Sequence, residues 1–162
     1  FTVNIALMKE SSPVFGIVYA PESEICFWGG NDYGAWKVDS KQNIQKIKVN
    51  SSNSNTINLA SSRSHPSSKL QSYLDRFDSH EIIHMGSSLK ICLVADGSAH
   101  IYPRLGPTME WDSGAGHAVL KYAGGFLTDT TTEKELVYNK QNLLNPDFIC
   151  YGSSVKEQYE VL

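Results

Sequence analysis

The sequence has few cysteines, no long apolar run and no recognisable targeting segment. Its three cysteines, Cys26, Cys92 and Cys150, are odd in number and widely spaced, which excludes a disulfide framework and a zinc-binding pattern. Each lies in an apolar run, which favours a buried thiol and a reducing compartment. No apolar run approaches the roughly 20 residues that span a bilayer. We therefore expect a cytoplasmic protein without a transmembrane segment, with a peripheral position at the inner membrane as the alternative.

Charged residues are also sparse and nearly balanced. Lys and Arg number 14, Asp and Glu number 17, and the formal net charge is -3. Binding to duplex nucleic acid needs a cluster of cations, so we expect no nucleic-acid partner. A small anionic ligand needs only a few cations at one site, which the chain can supply. The hydrophobic fraction of 41% is typical of a globular protein, and 162 residues suffice for one domain plus part of another.

Residues 1–38 have the pattern of short strands joined by tight turns. Apolar and polar residues alternate over 1–7, and further apolar runs lie at 14–19, 25–28 and 34–38. The pattern predicts an antiparallel meander, which needs helices to cover it. The chain begins at Phe1, inside a strand-like run and without an initiator Met, so we expect that it has been cut from a longer protein.

Residues 39–56 are rich in Ser, Asn, Lys and Gln, which predicts a linker. Within it, Ile44, Ile47 and Val49 favour a short stretch that packs as a strand. The meander of residues 1–38 would then be the remnant of a first α+β domain whose sheet is incomplete.

Residues 57–162 alternate between strand and helix patterns. Strands are predicted at 57–61, 81–85, 100–104, 126–128, 136–138 and 148–151. Helices are predicted at 66–78, 87–96 and 112–123. The alternation predicts a layered α/β/α domain with helices on both faces of a sheet. The predicted fold class of the whole chain is therefore α/β, with an antiparallel meander before this C-terminal domain.

Three junctions between a predicted strand and the next helix combine small polar residues with charged ones. They are S-S-R-S-H-P at 61–66, H-M-G-S-S-L-K at 84–90 and E-W-D-S-G-A-G at 110–116. Ligands of open α/β sheets bind where strands end, and the free N–H groups of a helix N-terminus suit an anion. Taken singly, Ser62, Ser87 and Asp112 are also compatible with ordinary helix N-caps. His65 and Lys90 are likewise compatible with a solvated surface, but together the junctions favour an anion site.

Asp112 precedes a run of small residues, Ser113-Gly114-Ala115-Gly116, which lets a helix start approach another backbone closely. A carboxylate there is well placed to hold Mg²⁺, which prefers oxygen ligands and shares them with water and phosphate. Metal-dependent hydrolysis of a phosphate ester needs several carboxylates, however. Asp129, Glu133 and Glu135 lie in a polar, Thr-rich stretch and are interpreted as surface residues.

The segment W-D-S-G-A-G at 111–116 resembles the W-D-x-x-A-G signature of the inositol-monophosphatase-like superfamily of Mg²⁺-dependent phosphatases. The segments at 62–65, 86–90 and 102–104 are similar to the 3′(2′),5′-bisphosphate nucleotidase branch of that superfamily. The resemblance extends over essentially the whole chain. It implies the inositol-monophosphatase-like fold. It also implies conversion of 3′-phosphoadenosine 5′-phosphate to AMP and phosphate by in-line attack of a metal-activated water.

The resemblance further implies roles for individual residues. Asp112 would be a catalytic residue and a ligand of the cofactor Mg²⁺. A small-molecule nucleotide substrate would be held by Ser62, His65, Gly86, Ser87, Lys90, Arg104 and Asp112. The superfamily's D-P-x-D-G-T loop, which supplies most metal ligands, is absent from this sequence and by family order would precede Phe1. We therefore expect the chain alone to be inactive, and we expect a homodimer as one assembly.

Two alternatives remain at this point. An inositol or sugar monophosphatase of the same fold would need hydroxyl-binding acids where this chain offers His65, Lys90 and Arg104. A non-catalytic nucleotide-binding module would use the same cations without turnover. Metal-dependent turnover by a longer protein would separate an enzyme from such a module.

Overall fold

Two five-stranded sheets, with helices between and beside them, form the computed structural model, which describes residues 1–52, 55–62, 68–153 and 155. The first sheet contains β1 (Val3–Lys9), β2 (Ser12–Ala20), β3 (Ile25–Gly30), β4 (Gly34–Val38) and β5 (Ile44–Ile47). The second contains β6 (Ile57–Ser61), β7 (His80–His84), β8 (Ile101–Arg104), β9 (Phe126–Asp129) and β10 (Phe148–Tyr151). The helices are α1 (Ser68–Leu74), α2 (Leu89–Ala95) and α3 (Glu110–Tyr122).

Consecutive strands of the first sheet pair antiparallel, from β1 at one edge to β5 at the other. The first four strands confirm the predicted meander. β5 comes from the segment predicted as a linker, and Val49, just beyond β5, is 6% exposed. Ile44, Ile47 and Val49 thus correctly indicated that part of this segment packs. The domain boundary at 39–56 stays a prediction.

The second sheet has the order β7-β6-β8-β10-β9. β6 is parallel to β7 and β8, whereas β10 is antiparallel to β8 and β9. The predicted strand at 136–138 is wrong. Leu136 N donates to Leu127 O in the second sheet, whereas Tyr138 N donates to Ser11 O at the β1–β2 turn. The segment crosses from one sheet to the other, so it cannot follow a single neighbouring strand.

α3 is the central element, because it packs against β1, β2 and β3 and also against α2. The approach to the first sheet is close. A Cβ atom at Gly29 would lie 2.9 Å from Val119 Cα, and one at Gly16 would overlap the Ala115 carbonyl. Glycine at these two strand positions is what allows the sheet to meet the helix backbone. α3 therefore covers one face of the first sheet and joins both sheets in a common core.

The second sheet is covered by helices on both faces, as predicted. One face contributes Tyr102, Phe148 and Cys150 to the core that contains α2 and α3. The other face packs Ile57 and Leu59 against the side chains of α1 and the residues that follow it. The predicted start of α1 at residue 66 lies outside the described residues.

The first sheet turns its other face, called here the outer face, away from α3. Val3, Ile5 and Leu7 of β1 lie on it and are 46%, 62% and 62% exposed. Strand pairing places further large apolar residues on the same face: Phe15, Ile17, Tyr19, Trp28, Trp36 and Ile44. Within the described ranges, no helix covers this face. None of the described helices is long and apolar enough to cross a bilayer.

Candidate active site

The turn that joins β7 to α2 forms one wall of the candidate site. Met85 N donates to Ser61 O at 2.9 Å, which keeps the ends of β7 and β6 side by side. Ser87 has a φ of +54°, in the left-handed region that residues other than glycine rarely adopt. A Cβ atom at Gly86 would meet no atom within 4 Å, so the backbone there faces open space. The turn is thus held in an uncommon conformation beside an open surface.

Lys90 stabilises this turn through hydrogen bonds to its backbone. It is only 4% exposed, and its Nζ donates to Ser87 O at 2.8 Å and to Met85 O at 3.3 Å. The ammonium lies 5.4 Å from the centre of the Tyr102 ring. Burial, and then the charge of Arg104, lower the pKa of Lys90 to about 8. Lys90 is thus a buried cation that pairs with no carboxylate among the described residues.

Arg104 ends β8 and is the second cation of the site. Its Nη2 donates to Pro107 O at 2.7 Å, which fixes the guanidinium over the turn after the strand. Its Nε is buried and has no hydrogen-bond partner in the part of the chain that the structure describes. Neither Lys90 nor Arg104 pairs with a carboxylate of the described residues, and two positive charges at one site are unfavourable unless an anion joins them. This arrangement favours a negatively charged ligand.

Asp112 lies in the first turn of α3, which begins at Glu110 rather than at the predicted position 112. Its Oδ2 accepts a hydrogen bond from Met109 N at 3.0 Å, so this carboxylate caps the helix as its third residue, while the N-cap position expected for Asp112 belongs to Met109. The side chain is exposed, and no hydrogen bond within the described residues occupies its Oδ1. Capping by one oxygen leaves the other able to bind a metal ion.

These residues meet at two adjoining cavities. The smaller, of about 250 Å³, is lined by Ser87, Lys90, Arg104 and Asp112. The larger, of about 650 Å³, is lined by Ser62, Gly86, Ser87 and Lys90, together with Phe1, Met85 and Glu22. Ser87 and Lys90 line both. The structure therefore brings six of the predicted site residues to one region, while His65 lies outside the described residues.

The fit of a metal ion can be judged from the ligands present. Asp112 offers one exposed carboxylate oxygen at the rim of the smaller cavity, which suits Mg²⁺ as one ligand among several. Nowhere in the described ranges do three or more His, Cys, Asp or Glu side chains group in a way that could hold a metal. Asp112 fits as a partial ligand set and not as a complete one.

Sequence reasoning missed a group of four hydrogen-bonded side chains that joins β1 to the β7–α2 turn. Thr2 Oγ1 lies 2.5 Å from Ser87 Oγ and 2.9 Å from Ser88 Oγ. Ser88 Oγ donates to Asn4 Oδ1 at 2.7 Å, and Asn4 Nδ2 donates to Thr2 Oγ1 at 3.3 Å. The available signal was the alternation over residues 1–7, in which Thr2 and Asn4 are polar.

A third cavity, of about 400 Å³, lies at the C-terminal end of α3 and includes His117, Lys121 and Glu135. Glu135 Oε1 lies 2.7 Å from Lys121 Nζ and 3.3 Å from His117 Nε2. His117 Nδ1 lies 3.0 Å from Tyr138 Oη. The hydrogen bond from His117 is the largest influence on Glu135, whose pKa is lowered to about 2, and burial lowers the pKa of His117. The cation of this cavity, Lys121, thus has a carboxylate partner within the protein.

The sequence matches the inositol monophosphatase family over residues 1–159. It is 41% identical over 149 residues to the 3′(2′),5′-bisphosphate nucleotidase CysQ of Salmonella typhimurium, covering 91% of this chain and 58% of that protein. The CysQ of Buchnera aphidicola is 43% identical over 125 residues, covering 77% of this chain and 46% of that protein. The chain thus spans about three fifths or less of these curated relatives, since the shares are 58% and 46%.

Solved structures agree with the sequence match. The crystal structure of CysQ from Bacteroides thetaiotaomicron superposes with a TM-score of 0.85 at 34% identity, covering 93% of this chain and 62% of that one. An inositol monophosphatase from Anabaena superposes with a TM-score of 0.74 at 21% identity, covering 97% and 62%, and shows the fold alone. The predicted fold class and the predicted family resemblance are confirmed, and the chain belongs to the inositol monophosphatase family.

Proposed function

We propose that this chain forms the nucleotide-holding part of a Mg²⁺-dependent phosphatase that converts 3′-phosphoadenosine 5′-phosphate to AMP and phosphate. The observation that carries the proposal is the pair Lys90 and Arg104, two cations that line one cavity without a carboxylate partner among the described residues. A bisphosphate presents two anions, and only one of them is cleaved. Fixed cations are what the uncleaved phosphate requires.

The two adjoining cavities suggest where the phosphate and the nucleoside of such a substrate would each bind. Ser87, Lys90 and Arg104 would hold the uncleaved phosphate at the smaller cavity. Ser62 and Gly86 line the larger cavity, which has space for the nucleoside. His65 follows Ser62 in the sequence, and we propose that it contacts the nucleoside as well.

Asp112 lines the smaller cavity, and we propose that the phosphate to be cleaved would lie beside its carboxylate. When bound, Mg²⁺ would activate a water and offset charge on the phosphoryl group. Asp112 would hold the ion through Oδ1 while Oδ2 keeps its bond to Met109 N. The positive end of α3 would add a favourable field for the same anion. Further ligands would come from the remainder of a longer protein that contains these residues.

A turnover assay tests this proposal and its alternatives. The 162-residue chain and a longer protein containing it are each supplied with Mg²⁺ and assayed for phosphate release. The longer protein should hydrolyse 3′-phosphoadenosine 5′-phosphate in preference to inositol 1-phosphate, and the 162-residue chain should hydrolyse neither. Preference for inositol 1-phosphate would favour an inositol phosphatase. Binding without turnover by the longer protein would favour a non-catalytic module, and robust turnover by the 162 residues alone would contradict the partial ligand set.

The outer face of the first sheet supports a proposal about assembly. Its exposed Val3, Ile5 and Leu7 form an apolar surface of the kind that associates in water. We propose that the 162-residue chain dimerises or aggregates through this face when purified alone. Sedimentation velocity on wild type and Ile5→Lys checks it, because a charge in the middle of the exposed edge strand β1 should shift the chain toward monomer. A wild-type chain that stays monomeric would contradict this proposal.

A further inference from the structure

Two polar side chains next to the candidate site, Thr2 and Asn4, do not line the smaller cavity but are hydrogen-bonded to the turn that does. Asn4 lies in β1 of the first sheet and Thr2 immediately precedes that strand, while Ser87 and Ser88 lie in the β7–α2 turn of the second sheet. Their side chains form a connected group with contacts of 2.5, 2.9, 2.7 and 3.3 Å. Ser88 is 6% exposed and precedes α2, yet its hydroxyl makes no capping bond to that helix. The hydroxyl instead donates a hydrogen bond to Asn4 of β1.

This hydrogen-bonded group matters because it supports the backbone conformation of Ser87. A serine at a φ of +54° is strained relative to ordinary backbone, so the conformation needs support from its surroundings. Two supports are present. Lys90 Nζ holds Ser87 O at 2.8 Å from inside the second sheet, and Thr2 Oγ1 holds Ser87 Oγ at 2.5 Å from the first. Because Ser87 and Lys90 line both cavities, moving this turn would move two binding groups at once.

We propose that Thr2 and Asn4 are positioning residues for the nucleotide site: they fix the Ser87–Ser88 turn, and with it the direction of the Lys90 ammonium, without belonging to the smaller cavity. The inference rests on the proposed function, because it assumes that this turn meets a phosphate. It assigns the first sheet a part in recognition, in addition to its part in the core. The β7–α2 turn alone would then not be enough to bind the nucleotide tightly. The affinity of the site would also depend on the position of β1 relative to this turn.

The test measures AMP binding to the purified 162-residue chain by calorimetry. AMP carries the phosphate that would not be cleaved, so no metal and no turnover are needed. Thr2→Val removes the hydroxyl at nearly constant volume and should weaken binding by about fivefold to tenfold, the size of one or two hydrogen bonds. Ser88→Ala breaks the same group from the other side and should weaken binding similarly. Thr2→Ser restores the hydroxyl and should bind within about twofold of wild type.

The matched control is Thr128→Val, which removes a threonine hydroxyl that lies 3.0 Å from Tyr151 Oη in the second sheet, at the cavity beyond the other end of α3. Both valine variants should lower the urea midpoint to a similar extent, but only Thr2→Val should weaken AMP. Equal losses of affinity would reduce the effect to general destabilisation and overturn the inference. Unchanged binding by Thr2→Val would also overturn it while leaving the proposed function intact. A wild-type chain that does not bind AMP would overturn both.

Discussion

The two ends of α3 open onto cavities that differ in how their charges are neutralised. At the C-terminal end, in a cavity of about 400 Å³, Lys121 pairs with Glu135 at 2.7 Å. At the N-terminal end, in a cavity of about 250 Å³, the cations Lys90 and Arg104 bond to backbone carbonyls of described residues and not to carboxylates. The two ends of the helix therefore differ in whether their cations have carboxylate partners among the described residues, and we propose that the end whose cations lack them is the functional one.

The difference in carboxylate pairing indicates different roles for Lys121 and for the pair Lys90 and Arg104. A cation paired inside the protein contributes to the folded state, and its removal leaves a carboxylate without its partner. A buried cation without a partner disfavours the folded state slightly and is retained where a ligand brings the anion. Removing a cation should therefore act on stability at the C-terminal end of α3 and on ligand recognition at the N-terminal end.

The largest expected effect is on kcat, and it distinguishes a carboxylate at the N-terminal end of α3 from one at the C-terminal end. In the longer protein, Asp112→Asn should lower kcat by about a hundredfold or more, on the order of 3 kcal/mol in the barrier, because a charged metal ligand is lost. The free energy of unfolding should change by less than about 1 kcal/mol, since Asn also accepts the Met109 N–H bond. Glu135→Gln makes the same kind of change at the other end and should leave kcat nearly unchanged. Steady-state kinetics that show Asp112→Asn near wild type would reduce this carboxylate to a helix cap.

The next effect separates the two lysines. Lys90→Ala should lower kcat/KM for 3′-phosphoadenosine 5′-phosphate by about 2 kcal/mol, roughly thirtyfold, because the second phosphate loses its partner. The loss for inositol 1-phosphate, which has no second phosphate, should be much smaller. Lys90 also braces the Ser87 turn, so the ratio of the two losses is the informative quantity. Lys121→Ala should leave that ratio unchanged, and equal losses for both substrates in Lys90→Ala would move the inositol-phosphatase alternative ahead.

A smaller effect follows from the lowered pKa of Lys90, about 8 in the folded protein. The ammonium is charged below that pH and loses its proton as the pH rises through 8, well before an ordinary lysine would. AMP affinity should therefore be constant near pH 7 and fall by up to about tenfold per pH unit above 8, where the phosphate is already fully ionised. Calorimetric titrations between pH 7 and pH 9.5 measure this. Lys90→Arg keeps its charge over the whole range, and a wild-type decline as shallow as that of Lys90→Arg would contradict the assignment.

The smallest effect concerns acid stability at the C-terminal end of α3. Burial keeps His117 neutral in the fold, so the unfolded chain takes up its proton first, and stability should decline as the pH falls below about 6.5. Glu135 has a folded pKa of about 2 against an ordinary 4.5, so its contribution is complete above 4.5 and is lost as the pH falls toward 2. Because Glu135 is half exposed, its share should stay below about 1 kcal/mol. Urea unfolding of wild type and Glu135→Gln at several pH values checks this, and equal slopes below pH 4.5 would contradict it.

Local pattern predicted most of the elements, because alternation and helical periodicity are properties of short stretches. It did not reveal which half of β1 faces the core. Val3, Ile5 and Leu7 lie on the exposed outer face, whereas Ala6 and Met8 on the inward face pack against the core. Asn4, also on the inward face, and Thr2 just before β1 bond to the β7–α2 turn. The usual rule puts apolar residues inside. The polar pair is retained inside because it meets Ser87 and Ser88, a contact across more than eighty residues that no local pattern encodes.

The candidate site was predictable in its residues and not in its contacts. The junction motifs predicted that Ser87, Lys90 and Asp112 would lie near one another, and the structure places all three on one cavity. The sequence did not reveal that Lys90 Nζ bonds to the carbonyl oxygens of Met85 and Ser87 in its own turn. Both contacts depend on the angle at which a helix leaves its strand, and that angle is fixed by packing against the other layers.

A crystal structure of the protein with bound AMP tests the central claim most directly, because AMP carries only the phosphate that the proposed reaction leaves in place. The phosphate is predicted to lie at the N-terminal end of α3, within about 3 Å of Lys90 Nζ and of the Arg104 guanidinium, as charge-assisted hydrogen bonds require. The adenosine should extend into the larger cavity past Gly86. A phosphate bound instead beside Lys121, or an AMP that leaves Lys90 and Arg104 without an anion, would contradict the conclusion that unpaired cations identify the site.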